Sequence, residues 1–435
     1  MRRRSSATAT NRNDVSRQKT TELFNGICET GHQGEMAMNL ANSRTPAQVR
    51  GVSSAVGRQR GFSLVELLVA TVIGLIGTIA MMAAFARFEG TKRTTTSGDD
   101  AQQAGVFSLY ELERQVRSAG SAIVQGKSPA RSIWACAISA RTNAVAVLPL
   151  PAPLAAPFAG VPVTVRAIPL LVYAGGSATG NGLGSGGQAV PDVVAVISGN
   201  PAVRTVGASI DLAAAGNVRM QDSTFGFYAN EYLLAGKSTG QCELGVIDAA
   251  PDHANRQFAL RTAASPAAGF QTQQYLFDLG VAPVFSLFGV DVPNSRLVAF
   301  DLLRRGGSDV PAEIADGIVM LKALYGVDDG VGGTIDDGVI DEWVLPTGAT
   351  WGAAALSDGS VAANRSIGRI RAVRLALVAR SQLGERAADY SGATSLTLFA
   401  DVPAAALQVG IEARYRYKVY DTTIPMHNSA ITRIF

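Results

Sequence analysis

The feature that most constrains this chain is one long apolar run at residues 62–85, which contains a single charged side chain, Glu66. An apolar helix of about 20 residues is long enough to cross a bilayer. Basic residues flank the run on both sides, but the segment before it is strongly basic. Because positive residues favour the cytoplasmic side, we expect a cytoplasmic N-terminus and a large body on the other side.

Glu66 distinguishes this run from a plain anchor or a secretory signal. A secretory signal has a shorter apolar core and a small-residue cleavage site after it. An ionisable side chain at membrane depth is costly and usually has a partner. The run is therefore predicted to do more than hold the chain in a membrane.

The residues at the start of the run, Gly61-Phe62-Ser63-Leu64-Val65-Glu66, resemble the type IV prepilin signature. The resemblance implies cleavage by a prepilin peptidase between Gly61 and Phe62, followed by N-methylation of Phe62. It also implies that Glu66 acts in subunit assembly. Residues 1–61 would then be a cytoplasmic leader. Its length favours a true start near Met38, with Met36 as a rival and a genuine extension as the alternative.

Three later segments resemble PilW-like minor pilins. Residues 105–120 are similar to the helix that follows the anchor and ends in an Arg-x-x-Gly turn, here Arg117 to Gly120. Residues 369–381 and 417–428 resemble strands of that family. The centre of the body, residues 130–315, contains no recognisable motif.

The predicted fold class is α+β. A helix over residues 62–120, with its transmembrane part at 62–85, is followed by a β-rich antiparallel head at 121–435. Apolar residues make up 47% of the chain and charged residues 17%, which excludes a disordered chain or a strongly basic nucleic-acid binder. The helix is predicted to break or kink at Gly98 and to pack one face on the head. That face is predicted to comprise Val106, Leu109, Leu112 and Val116. Strands are predicted over residues 161–173, 192–198, 396–399 and 411–420.

The predicted topology places the body, with two of the three cysteines, in an oxidising periplasm. A periplasmic head favours a disulfide between Cys136 and Cys242, with two separate buried thiols as the alternative. Cys28 lies in the leader. Three cysteines and three histidines without paired spacing argue against a zinc site.

An acidic, glycine-rich segment at residues 328–342 admits two interpretations. Carboxylates on a tight loop suit Ca²⁺, but an EF-type register that starts at Asp328 places Gly330 and Gly332 where acids belong, and the alternative is a solvated turn before the strand around Trp343. The candidate calcium ligands are Asp328, Asp329, Asp336, Asp337 and Asp341. The glycines at 182–187 match a GxGxxG spelling, but a strand follows them where a dinucleotide site needs a helix. They are predicted to form a loop.

The functional prediction is a minor pilin of a type IV pilus, acting in initiation or at the tip. The expected partners are prepilin peptidase, other minor and major pilins and the inner membrane. No nucleic acid, small-molecule substrate or cofactor is expected beyond possible calcium. The basic row Arg414, Arg416 and Lys418 is interpreted as a solvated strand face.

The expected location is the inner membrane with a periplasmic head, and then the pilus at the cell surface. A type II secretion pseudopilin is the closest alternative. An enzyme is not expected, because no catalytic constellation is visible.

Overall fold

The computed structural model describes residues 61–123, 133–184, 187–205, 207–214, 216–236, 240–304, 310–385 and 390–430. The predicted leader, including Met36, Met38 and Cys28, lies outside these residues except for Gly61. The chain divides into two compact units, Met1–Gly74 and Leu75–Phe435. In the first unit, residues 61–74 contain the start of the apolar helix, and the second unit contains the head.

Helix α1 spans Leu64–Ser118. Its most apolar stretch has a mean hydropathy of 2.3 and no part buried in protein, so the helix is long and apolar enough to cross a membrane. The predicted break at Gly98 is wrong, because α1 runs through it. A single helical glycine costs only about 1 kcal/mol, and Ser97 and Ala101 beside it are buried against the head.

The described part of the head contains nineteen strands and four short helices. The strands are β1 (Ala137–Thr142), β2 (Val145–Leu148), β3 (Leu170–Tyr173), β4 (Val193–Ser198), β5 (Ala208–Ala214), β6 (Asn217–Met220), β7 (Tyr232–Gly236), β8 (Gln241–Val246), β9 (Gln257–Ala259), β10 (Tyr275–Gly280), β11 (Val284–Asp291), β12 (Arg296–Asp301), β13 (Ala312–Asp316), β14 (Ile318–Val327), β15 (Glu342–Val344), β16 (Ile370–Arg380), β17 (Ser395–Leu398), β18 (Leu407–Gly410) and β19 (Tyr417–Pro425). The helices are α2 (Gly348–Trp351), α3 (Ala353–Leu356), α4 (Val361–Arg369) and α5 (His427–Ala430).

The strands form three sheets and a hairpin. The first sheet has the order β2-β1-β8-β7-β10-β5-β6-β9, and the second has the order β13-β12-β11-β4-β3. The third sheet has the order β15-β14-β16-β19, and β17 pairs with β18. Every pairing is antiparallel except that of β1 with β8. The α+β prediction is therefore confirmed.

Two predicted strands differ in extent from the structure. Over residues 161–173 only β3 is a regular strand, because Pro162 and Pro169 lack the N–H that a ladder needs. Over residues 411–420 the strand begins only at Tyr417, because the chain turns where the N–H of Tyr415 donates to the carbonyl of Glu412 at 3.2 Å. Predicted strands 192–198 and 396–399 correspond to β4 and β17.

The buried face of helix α1 agrees with the predicted one only in part. Leu112 and Val116 are buried, whereas Val106 is 58% exposed and Leu109 only partly buried. The buried positions repeat every three or four residues, as one face of a helix requires. They are Ser97, Ala101, Gly105, Ser108, Leu112 and Val116. The N-terminal part of this stripe consists of small residues, so the helix lies close to the head there.

Candidate assembly site on the N-terminal helix and its supports

The predicted cleavage junction lies immediately before α1. Gly61, Phe62 and Ser63 are exposed and not helical, and the first helical bond runs from the N–H of Leu67 to the carbonyl of Ser63 at 3.1 Å. Exposed, irregular chain is where proteolysis concentrates. Both residues of the predicted junction are therefore exposed and lie outside the helix.

Glu66 occupies the first turn of α1 and is exposed. A negative charge is favoured at this end of a helix, where free backbone N–H groups carry partial positive charge. No basic side chain pairs with Glu66 within the described part of the chain.

Strand β19 holds α1 against the head. A Cβ added at Gly105 would lie 2.2 Å from Cε2 of Tyr420, so only glycine admits that ring. The Tyr420 hydroxyl donates to the carbonyl of Gln102 at 3.2 Å, and Lys418 Nζ donates to Gln102 Oε1 at 3.0 Å. Sequence analysis missed Gly105, because a single helical glycine does not reveal which ring it contacts.

The end of α1 is fixed by the turn predicted at residues 117–120. Gly120 has a φ of +76°, and its N–H donates to the carbonyl of Ile197 at 2.9 Å. Asn428 Nδ2 donates to the carbonyl of Ala119 at 3.0 Å. The bond from Asn428 satisfies a carbonyl group at the end of the helix, and the two bonds together tie α1 to β4 and α5.

Cys136 and Cys242 are joined by a disulfide, with their Cα atoms 5.6 Å apart. The bond links the residue before β1 to β8, beside the parallel pairing of those strands. Both cysteines are buried. The bond therefore secures β1 and β2 at the edge of the first sheet.

The five predicted calcium ligands are not brought together around a common point. Asp328 is fully buried and accepts bonds from Arg371 at 2.8 and 2.9 Å and from the N–H of Gly338 at 2.7 Å. Asp336 forms a two-point ion pair with Arg369 at 2.9 and 3.0 Å. Arg371 and Arg369 therefore supply positive charge to Asp328 and Asp336, two of the carboxylates that were predicted to bind calcium.

The other three carboxylates in this loop accept backbone N–H groups: Asp329 from Val331, Asp337 from Val339 and Asp341 from Gly330. No group of three or more metal-ligating side chains occurs in the part of the chain that the structure describes. The segment before β15 is a turn held by these hydrogen bonds and ion pairs, with Asp328 buried rather than solvated.

Sequence analysis missed a buried ion pair between Lys322 and Asp192. Both side chains are at most 1% exposed, and Lys322 Nζ lies 2.5 Å from Asp192 Oδ1. Asp192 also accepts the N–H groups of Gly175 and Ala323, and Lys322 Nζ donates to the carbonyls of Gly182 and Val190. Gly182, the first residue of the glycine-rich loop predicted at 182–187, therefore accepts a hydrogen bond from the Lys322 ammonium through its carbonyl. The sequence signal for this ion pair was the single lysine in the otherwise apolar strand β14, because a buried lysine needs a negatively charged or hydrogen-bonding partner.

A buried pair of acidic side chains lies near the end of β10. Asp278 is 1% exposed and Glu231 2% exposed. Asp278 Oδ1 accepts the N–H of Gly280 at 2.8 Å, but Oδ2 has no hydrogen-bond partner among the described residues. Burial raises the pKa of Asp278 to about 7, with a further contribution from the neighbouring Glu231.

Because the pKa of Asp278 is raised in the folded chain, we expect the free energy of unfolding to fall as pH rises. The folded chain holds a proton on Asp278 up to pH near 7, whereas the unfolded chain releases it near pH 4. Between pH 5.5 and 7.5 the free energy of unfolding should therefore fall by about 2 kcal/mol from this group. Asp278→Asn should remove that loss, because asparagine stays neutral. Denaturant unfolding at both pH values measures it. An unchanged pH dependence in the variant would contradict the assignment.

Comparison with known protein families gave two matches. The family described as Type IV Pilus-assembly protein W matches residues 289–428, from within β11 to α5. The Prokaryotic N-terminal methylation motif matches residues 57–82. Searches of curated proteins and of solved structures returned no match.

The methylation motif and the apolar helix together support a pilin related to type IV pili. Residues 289–428 are similar to the PilW family within that class. This match contains the third sheet, and it begins inside the region 130–315 where sequence analysis found no motif. Such pilus-assembly families are generally structural rather than enzymatic.

Proposed function

We propose that this chain is a minor pilin of a type IV pilus, synthesised as a prepilin. Prepilin peptidase cuts between Gly61 and Phe62, and Phe62 becomes the methylated N-terminus. The subunit then waits in the inner membrane with its head in the periplasm. It joins other pilins when the pilus is initiated or capped.

The observation that carries this proposal is the position of the methylation motif on α1. The motif ends in an apolar helix whose side chains have almost no cover from the rest of the chain. Uncovered apolar surface of this length needs a membrane or other helices around it. The residues of the proposed junction are exposed at the start of that helix.

The head favours a rare subunit over a repeated one. At residues 121–435, its expected radius of gyration is roughly 20 Å by size scaling. Heads of that size are hard to repeat at every step of a thin shaft, so a tip or initiating complex fits better.

A type II secretion pseudopilin shares the N-terminal signature and is the second candidate. The match to the pilus-assembly family over the third sheet favours the pilus. Gene neighbourhood separates the two: minor-pilin genes beside this one support the proposal, and secretion genes contradict it.

Glu66 is proposed to pair with the α-amino group of a neighbouring processed pilin. A carboxylate in hydrocarbon needs a positive partner, and an α-amino group that titrates near pH 8 supplies one. We expect Glu66→Ala to insert and be cleaved normally but to lose most co-purification with other pilins. Pull-down from detergent-solubilised membranes measures this.

Thr71→Ala is the matched control. Thr71 lies in the same apolar segment, and its hydroxyl donates to the carbonyl of Leu68, so the substitution removes a polar group that has no proposed role in assembly. It should co-purify like the wild type. Equal recovery of Glu66→Ala and wild-type chains would contradict the proposed pairing.

A further inference from the structure

The buried carboxyl groups of Asp278 and Glu231 lie beside each other in the head without a paired cation. Glu231 Oε2 accepts the N–H of Tyr228 at 2.6 Å, whereas Asp278 Oδ2 has no hydrogen-bond partner among the described residues. No basic side chain forms an ion pair with either carboxyl group in this part of the chain. A proton on Asp278 turns one of its oxygens into a donor, and Glu231 lies within reach to accept it. The buried pair is therefore satisfied only while it holds a proton.

The pair lies where residues 199–205, which follow β4, cross the end of β10. We call these residues the latch segment. The N–H of Asn200 donates to the carbonyl of Leu279 at 2.8 Å, and a Cβ added at Gly280 would lie 2.1 Å from the Asn200 carbonyl oxygen. The N–H of Gly199 donates to the carbonyl of Ser121, just beyond α1, at 2.8 Å. Because Asp278 Oδ1 accepts the N–H of Gly280, the carboxyl pair is joined directly to this crossing.

Arg204 fastens the latch segment to the turn that leads to Glu231. Its guanidinium lies 4.9 Å from the ring centre of Phe227, and Nη1 donates to the carbonyl of Ser223 at 2.7 Å. Arg204 is also the cation that lowers the pKa of Asp278 and so partly opposes the effect of burial. The latch segment thus contacts β10 through Asn200 and the turn through Arg204, on either side of the carboxyl pair.

The other titratable groups around this crossing are at its edge. His253 is exposed, and its Nδ1 lies 2.9 Å from Oγ1 of Thr224, at the start of the turn. Beyond β8, Asp248 and Arg261 pair with each other at 3.5 Å, and both side chains are at least 40% exposed. Residues 119–123, after α1, include no charged residue. A proton lost from Asp278 is therefore the charge change inside the crossing, and His253 is the group to be tested beside it.

We infer that the Asp278–Glu231 pair is a proton-controlled latch, which holds the latch segment closed when protonated and opens it when ionised. Two carboxylates beside each other repel and need water, and water reaches them when the latch segment moves away from β10 and from the turn. Exposed apolar side chains, Val203 and Phe225, lie on the two parts that separate. The conformation of this surface therefore follows the pH around the head. The inference does not depend on the proposed function, since it requires only the fold of the head.

The test is hydrogen exchange of the full, detergent-solubilised chain at pH 5.5 and 7.5, followed by mass spectrometry. The pKa of Asp278 is about 7 in the closed form, and an exposed aspartate titrates near pH 4. The equilibrium constant for opening should therefore rise roughly 25-fold between the two pH values. After correction for the intrinsic exchange rate, we expect the latch segment and residues 228–231 to lose protection by that factor without added denaturant. Amides of β14 and β16 should exchange more slowly, and only through an opening that denaturant promotes.

Three variants assign the effect to the pair. Asp278→Asn keeps a donor for Glu231 without a titrating proton, so its protection should not change between the two pH values. Glu231→Gln removes the neighbouring charge that raises the pKa of Asp278, so the loss of protection should be smaller and begin at lower pH. His253→Gln removes the titratable group at the edge and should respond like the wild type. Asp222→Asn is the matched control, because Asp222 is exposed on the chain after β6, and it should also respond like the wild type.

Several results would overturn the inference. One is equal protection of the latch segment at both pH values in the wild-type chain. Another is a full loss of protection that persists in Asp278→Asn, or in Glu231→Gln if the first variant does not fold. A pH response abolished by His253→Gln would assign the effect to the histidine instead. Exchange of the latch segment that requires denaturant, as in β14, would show that the crossing opens only when the whole head unfolds.

Discussion

Replacing Lys322 with methionine should lower the free energy of unfolding by about 3–5 kcal/mol, the usual cost of breaking a buried ion pair from one side. Methionine fills similar space but leaves the Asp192 carboxylate without its cation. Two backbone N–H groups still reach that carboxylate, from Gly175 and Ala323. Because they cannot balance a full charge in the core, the folded state should lose stability.

The pH dependence of the variant distinguishes this cause from simple loss of packing. Burial raises the pKa of Asp192 and Lys322 opposes that rise, so removing Lys322 should raise the pKa further. A carboxyl whose folded pKa exceeds its unfolded value is stabilising only when protonated. The free energy of unfolding of Lys322→Met should therefore recover as pH falls from 8 to 5. Denaturant unfolding of the detergent-solubilised chain measures it.

Arg219→Met is the matched control for that experiment. Arg219 pairs with Asp211 at 2.7 Å, but both side chains are more than 40% exposed. An exposed pair contributes at most about 1 kcal/mol. Equal losses in the two variants would contradict the assignment of a buried charge to Asp192.

Removing the disulfide should cost about 4–5 kcal/mol in the chain-entropy account, because the bond joins residues 106 positions apart. The test variant is the double substitution Cys136→Ala, Cys242→Ala, which avoids a new buried hydroxyl. We expect earlier unfolding in denaturant. Exchange at the amide hydrogens of β1 and β2 should also be faster, because their sheet edge is held by this bond.

Unfolding of both chains in the presence of a reducing agent is the control for the disulfide prediction. The reducing agent should destabilise the wild-type chain by about the same amount as the double substitution. It should leave the double variant unchanged. Wild-type unfolding that does not respond to verified reduction of Cys136 and Cys242 would contradict a stabilising role.

The sequence was sufficient for features that depend on local pattern. The apolar run predicts α1. The resemblance to PilW-like minor pilins predicts the turn at Gly120 and strand β16. Strand β4 could be predicted from its apolar, β-branched composition. The same reasoning predicted β19 but placed its start six residues early, since alternation alone cannot show where a chain turns.

Features that depend on tertiary contact were not predictable in the same way. Gly105 is required by Tyr420, which lies more than 300 residues further along the chain. The acidic loop was open to two interpretations, because the pattern of carboxylates did not reveal that Arg369 and Arg371 face them. Similarly, Lys322 could be recognised in the apolar strand β14, but nothing in the sequence identified Asp192 as its partner.

The measurement that tests the central claim most directly is mass spectrometry of the N-terminus of the membrane-embedded chain. The account predicts a mature chain that begins at Phe62 and carries one methyl group on its α-amino nitrogen. Gly61→Val, which adds bulk beside the proposed junction, should remain as precursor. An intact leader on the wild-type chain in native membranes would contradict the account.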